Sequence, residues 1–110
     1  MIKKYKVIIT PQAQQQLMSI RDYILLELKS PIAARNTLTA LEAAIKMPDR
    51  MPNRIPLTEE EKWREYGVHK MPVQNFLVYF TVNEDDLTVY VIAVVYARRD
   101  QKKALEETLL

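Results

Sequence analysis

Along the chain the spacing of apolar positions changes from strand-like to helical and back to strand-like. Tyr5-Lys6-Val7-Ile8-Ile9-Thr10 is short and β-rich and reads as a first strand. Thr10-Pro11 then marks a helix start, with Thr10 as N-cap and Pro11 at the first helical position, where its missing N–H costs nothing. Ala13, Leu17, Ile20, Ile24 and Leu28 follow at spacings of three and four, giving one apolar stripe. Ser30-Pro31 repeats the cap-plus-proline signal and ends the first helix. A second helix carries Ala34, Leu38, Leu41 and Ile45 on one face and stops before Pro48. Two helices with almost no loop between them form an antiparallel hairpin.

Pro48, Pro52 and Pro56 leave no room for a regular element between Met47 and about Leu57, which is expected to be loop. Thr58, with Glu61 three residues on, has the form of a capping box for a single helical turn. From Trp63 the pattern becomes that of strands: Tyr66 to Val73, Asn75 to Val82 and Leu87 to Tyr96. The acidic turn Asn83-Glu84-Asp85-Asp86 joins the last two as a hairpin. Asp100 to Leu110 is expected to be a short helix or a frayed tail. The order β-α-α-β-β-β predicts an α+β domain, residues 1–110, with the helical hairpin packed on one face of a small, mainly antiparallel sheet.

The last two strands are apolar on both faces. Phe76, Val78, Phe80 and Val82 point one way, and Leu77 and Tyr79 the other. Likewise Val89, Val91, Ala93 and Val95 alternate with Tyr90, Ile92, Val94 and Tyr96. A sheet that is apolar on alternate residues needs one cover, whereas this one needs two. The hairpin supplies one. Only the tail, with Ala104, Leu105, Leu109 and Leu110, is left for the other, and each side chain left half-exposed forgoes roughly 1.5–3 kcal/mol. An apolar patch rimmed with charge is the form of a protein-interaction site, so a partner is expected on this face, the alternative being that the tail and the proline-rich loop cover it.

Composition narrows the chemistry. The chain has one glycine, Gly67, so the glycine-rich loops that cradle phosphates are excluded. With one histidine, His69, and no cysteine, a zinc site is nearly excluded too, and no metal or cofactor is expected. The only serines, Ser19 and Ser30, sit in a helical pattern and at a cap, which argues against a serine triad. Any enzyme activity must come from Lys, Arg, Tyr, His or carboxylates. Net charge is only +2, a weak signal for nucleic acid, although Arg98-Arg99 and Lys102-Lys103 form a basic cluster near the C-terminus. The basic N-terminus is too short in its apolar stretch for a signal peptide, and no run approaches a membrane span. A cytoplasmic protein is expected.

Three stretches carry a resemblance. Ser30-Pro31-Ile32-Ala33-Ala34-Arg35, with Leu41 to Ile45 and Pro48, resembles the second helix of ParE-like toxins. His69-Lys70-Met71-Pro72-Val73-Gln74-Asn75-Phe76-Leu77-Val78-Tyr79-Phe80 resembles their middle strands, and Val94-Val95-Tyr96-Ala97-Arg98-Arg99-Asp100 their closing strand. Together with the element order, these make nearly the whole chain similar to the RelE/ParE superfamily. The resemblance implies a toxin of a type II toxin–antitoxin pair, associated with growth inhibition and plasmid stabilization, and silenced by a cognate antitoxin. RelE-like members are ribosome-dependent mRNA endonucleases that use basic and tyrosine residues without metal. ParE-like members inhibit DNA gyrase and are not nucleases.

RNA cleavage by a 2′-OH needs a base, a cation for the phosphorane charge and an acid for the leaving oxygen. Against the RelE-like pattern, Lys70 stands at the second lysine position, but the earlier lysine position is Val68 and the third-strand arginine position is Leu77. The later arginine falls near Ala97, and Lys103 stands about where the tyrosine would be. A replacement catalytic set would draw on His69, Lys70, Tyr96, Arg98 and Arg99, with Arg64 and Tyr66 nearby. Strand alternation puts His69 with Met71 and Val73 on the core side, and Tyr96 continues an apolar strand. The partner-binding residues expected are Leu77, Tyr79, Arg98, Arg99, Lys102 and Lys103. Three functions stay open: a binding toxin acting on gyrase, an mRNA endonuclease with a non-standard site, and an interaction module without toxicity.

Overall fold

The structure, a computed structural model, describes residues 4–26, 29–46 and 52–97, with Asn53 through its backbone alone. Its elements are β1 (Lys6–Ile9), α1 (Pro11–Leu26), α2 (Pro31–Lys46), α3 (Glu61–Glu65), β2 (His69–Val73), β3 (Phe76–Asn83) and β4 (Thr88–Tyr96). The strands form one sheet in the order β1-β4-β3-β2, with β1 parallel to β4 and the other neighbours antiparallel. The expected α+β fold is present, and the single helical turn expected after Thr58 is α3, between the hairpin and β2. The tail from Asp100 and the stripe residue Leu28 lie outside the described residues, as does Pro48.

Both expected caps form. Thr10 Oγ1 accepts the Ala13 N–H at 3.3 Å, and Ser30 Oγ accepts the Ala33 N–H at 3.2 Å. Each satisfies one of the donors that a helix start leaves without an internal partner. Lys29, at φ 51°, takes the left-handed conformation between the helices, and the Ser30 N–H reaches back to the Ile24 carbonyl at 3.4 Å. The main core then fills from both sides. Ala13, Leu17, Ile20 and Ile24 of α1 and Ala34, Leu41 and Ile45 of α2 meet Met71, Phe76, Val78, Phe80, Val89, Val91 and Val94 of the sheet. Leu38 is only half-buried.

One expectation about β4 is corrected. Tyr79 pairs with Ala93 but Phe80 pairs with Val91, so Ile92 is an extra residue, a β-bulge. Alternation therefore slips. Val89, Val91, Val94 and Tyr96 face the helices, while Ile92, Ala93 and Val95 face the other way. A segment apolar at every position hides such a slip, because no polar residue marks which face is out.

The second face is covered by the chain itself. Trp63, which the strand-like pattern had placed in the β region, lies in α3 and packs with Val68, Leu77, Tyr79, Ala93 and Val95. Thr58 is not the cap of this helix. Glu60 holds the N-cap position without a side-chain bond, and Thr58 is buried with its N–H on the Val68 carbonyl at 2.8 Å. At the C-terminal end the Gly67 N–H reaches the Arg64 carbonyl at 3.0 Å and the Val68 N–H the Trp63 carbonyl at 3.1 Å. With Gly67 at φ +75°, this is a Schellman stop, sealed by the contact of Val68 with Trp63. The only glycine of the chain is there to end α3.

The proline-rich loop also holds more order than expected. Pro52–Arg54 makes one 3-10 turn, and Leu57 forms an antiparallel bridge with His69. The Lys70 N–H donates to the Pro56 carbonyl at 3.1 Å, so this segment caps the outer edge of β2. Pro72, two residues on, occupies the next outward-facing position and has no N–H to leave unpaired. At the opposite side β4 outruns β1, and the Val94 N–H is taken by Gln16 Oε1 at 2.8 Å.

Candidate functional site

His69 and Lys70 are neighbours on β2 and so project to opposite faces of the sheet. His69 is buried on the helix side. Its ring lies parallel to that of Phe80, with centroids 4.8 Å apart and 3° between the planes. Its Nδ1 stands 2.6 Å from the Ile55 carbonyl oxygen, which only accepts, so Nδ1 carries the proton and donates. The histidine ties the proline-rich segment to β2 and is a structural residue by its contacts. Lys70 is half-exposed on the second face, directly opposite Tyr79, which in turn lies opposite Ala93.

Tyr96 belongs to the helix side. Its ring is 4.5 Å from that of Phe76 and meets Tyr23 of α1 edge-on at 6.0 Å. Burial, and then the neighbouring Tyr23, raise its phenol above the ordinary value, so it keeps its proton and is no base near neutral pH. Since His69 pairs with Phe80 and Tyr96 with Phe76, two strand spacings and four residues separate them, roughly 16 Å. His69, Lys70 and Tyr96 therefore do not converge. Two lie far apart on one face, and the third is on the other.

Leu77 and Tyr79 were expected to present an open apolar surface to a partner. That part of the expectation is corrected: they are 5% and 0% exposed, under the cover that carries Trp63. Arg98, Arg99, Lys102 and Lys103 lie outside the described residues. Arg64 and Tyr66 sit at the end of α3, both exposed, with the Tyr66 ring 6.0 Å from that of Trp63. Lys62 Nζ lies 4.9 Å from the Trp63 ring centroid.

The group that the sequence reading missed is the one around Tyr79. Among the described residues its buried hydroxyl has no hydrogen-bond partner. Burial, and secondarily the negative charge of Glu60, push its pKa up to about 12. The sequence did hold a signal for the cover: Trp63 four residues before Gly67-Val68 is the spacing of a helix stop with its sealing contact. Among the described residues no three His, Asp or Glu side chains are placed to hold a metal ion.

Comparison with known proteins follows from this geometry. The family model described as the ParE toxin of the type II toxin–antitoxin system parDE matches residues 7–101. Among solved structures, the chromosomal ParDE toxin–antitoxin system of P. aeruginosa matches with a TM-score of 0.69 at 16% identity, over 84% of this chain and 96% of that one. The RelBE2 toxin–antitoxin complex of Mycobacterium tuberculosis matches with a TM-score of 0.63 at 17% identity, over 87% and 94%. A free-state mutant of the E. coli toxin RelE gives 0.51 at 14%, over 96% and 99%. At these identities the likeness to the solved structures is one of fold. No curated protein matches the sequence.

Proposed function

The chain belongs to the ParE toxin family of type II toxin–antitoxin systems, and from that premise we propose that it is a growth inhibitor that binds DNA gyrase and is held inactive by a cognate antitoxin. The observation that carries the gyrase reading is the scatter of the three acid–base candidates among the described residues. His69 is bonded to Ile55, Tyr96 is packed between Phe76 and Tyr23, and Lys70 is on the opposite face from both. A toxin that works by binding needs no convergent set. The antitoxin is supported by the family and by the solved relatives, a ParDE toxin–antitoxin system and a RelBE2 toxin–antitoxin complex. Among the described residues no helix is long and apolar enough to cross a membrane, in keeping with action in the cytoplasm.

The test is induced expression with two readouts. Gyrase-linked DNA damage, and loss of supercoiling by purified gyrase on addition of the protein, is the expected result. New codon-phased mRNA ends without DNA damage would replace this reading with the ribosome-dependent endonuclease. One observation favours that second reading: Lys70, at the position the family pattern gives to a lysine, is half-exposed. Normal growth with a folded, unbound protein would leave an interaction module without toxicity. The basic cluster is part of the proposal as the partner- and target-binding surface, so Arg98→Ala with Arg99→Ala should weaken growth arrest without unfolding the chain. Lys102 and Lys103, close by in sequence, belong to the same proposal.

A further inference from the structure

Among the described residues, the cover of the second face is held by little. Its helix, Glu61–Glu65, is five residues long, far below the length at which a helix holds itself together in water. Its N-cap makes no side-chain bond, and Trp63 is its only buried side chain. The Thr58 N–H donates to the Val68 carbonyl, so Glu59–Gly67 leaves and rejoins the sheet edge at one point. Below that point the edge is pinned by the Lys70–Pro56 and His69–Ile55 hydrogen bonds. Around Gly67, at the rejoining end, no atom of the described residues beyond its chain neighbours lies within 4 Å of where a side chain would begin.

Under this segment sits the unpartnered Tyr79 hydroxyl. A buried hydroxyl without a partner works against the closed arrangement, by an amount equivalent to about five- to a hundredfold in an equilibrium constant. Lifting Trp63 would give that hydroxyl water as a partner. Among the described residues no other buried side-chain polar atom lacks a partner. We propose that residues 59–67 are a lid that swings off the second face about the Thr58–Val68 hydrogen bond while the sheet and both long helices stay folded. In the open form Leu77, Tyr79, Ala93 and Val95 meet solvent beside Lys70. The device does not depend on which target the toxin binds.

Trp63 is the only tryptophan, so its fluorescence reports on the lid alone. In the isolated full-length protein, acrylamide should quench Trp63 well beyond what a side chain 4% exposed allows, at urea concentrations below the unfolding transition. The amides of Arg64 and Gly67, bonded within the lid to Glu60 and Arg64, should exchange hydrogen at least about a hundredfold faster than the Val78 amide of central β3. Tyr79→Phe removes the orphan hydroxyl and should slow lid exchange about tenfold. A sealed tryptophan, or lid amides that exchange only with the Val78 amide, would overturn the lid. Unchanged or faster exchange in Tyr79→Phe, as a water bound to the hydroxyl would give, would overturn the cause assigned to it.

Discussion

The two faces of one sheet are covered in different ways. On one side two sixteen-residue helices, each started by its own hydroxyl cap and proline, interlock with seven strand residues. On the other, among the described residues, Trp63 on a five-residue helix packs on Leu77, Tyr79, Ala93 and Val95, and a hydroxyl has no partner. A sheet apolar on both sides is driven by the same hydrophobic term to hide both, but the two covers inherit different strengths. The thick side decides whether the chain folds. The thin side decides what the folded chain can expose, because local opening follows the density of buried contacts.

The largest effect should come from the thick side. Leu41 is fully buried between α2 and the sheet, and Leu41→Ala should cost about 3–4 kcal/mol of global stability, read from the urea midpoint. Trp63→Ala removes a larger side chain and yet should cost less, about 2 kcal/mol. If the lid opens locally, no substitution in it can cost more than the free energy that keeps it shut. The variant should then unfold with a lower urea slope, since its native state already exposes the second face. A Trp63→Ala cost equal to that of Leu41→Ala, with an unchanged slope, would mean that the two faces unfold as one.

The same contrast explains what the sequence disclosed. The helical hairpin was readable because apolar and polar residues alternate with helical period between two clear caps at Thr10 and Ser30. That β3 is two-faced was readable because Phe76 to Val82 are apolar at nearly every position. The identical feature in β4 concealed the bulge at Ile92, since with no polar residue to mark solvent either register looks acceptable. The thin cover was legible only through its stop signal at Gly67-Val68. A one-turn helix has no period to detect, and Thr58 beside three glutamates imitates a cap that the chain does not use. The candidate site suffered from proximity in sequence: His69 and Lys70 are adjacent, and adjacency in a strand means opposite faces. Arg98 and Arg99 fall beyond the described residues, so their part rests on experiment.

Alkaline pH should separate the faces next. Tyr79 in the folded chain holds its proton to about 12, while in the unfolded chain it titrates near its ordinary value of about 10. Below pH 10 both states are protonated and the group adds no pH dependence. Between the two values the unfolded state has lost a proton that the folded state retains, so stability falls as pH rises. The loss from this one group approaches 1.4 kcal/mol per pH unit at most. Tyr96, and Tyr5 through its hydrogen bond to Glu84, are raised as well and add to the slope in the same direction. Unfolding curves from pH 9 to 11.5 should therefore be visibly flatter for Tyr79→Phe than for the parent. Parallel curves would place the Tyr79 hydroxyl in contact with water in the folded state.

The smallest effect tests the joint of the lid. Gly67 sits at φ +75° just past α3, where a residue with a side chain pays for the left-handed conformation. Because a methyl group there would meet no described atom within 4 Å beyond its chain neighbours, the dihedral energy is the main cost. Gly67→Ala should cost about 1 kcal/mol. If that cost is confined to the lid, Trp63 quenching should rise about fivefold while the urea midpoint of the sheet barely moves. Gly67→Asn should restore most of the difference, since asparagine tolerates this conformation better than alanine. A full drop in the midpoint with no gain in quenching would instead tie the Schellman stop to the main core, and the distinction between a thick and a thin side would fail at its narrowest point.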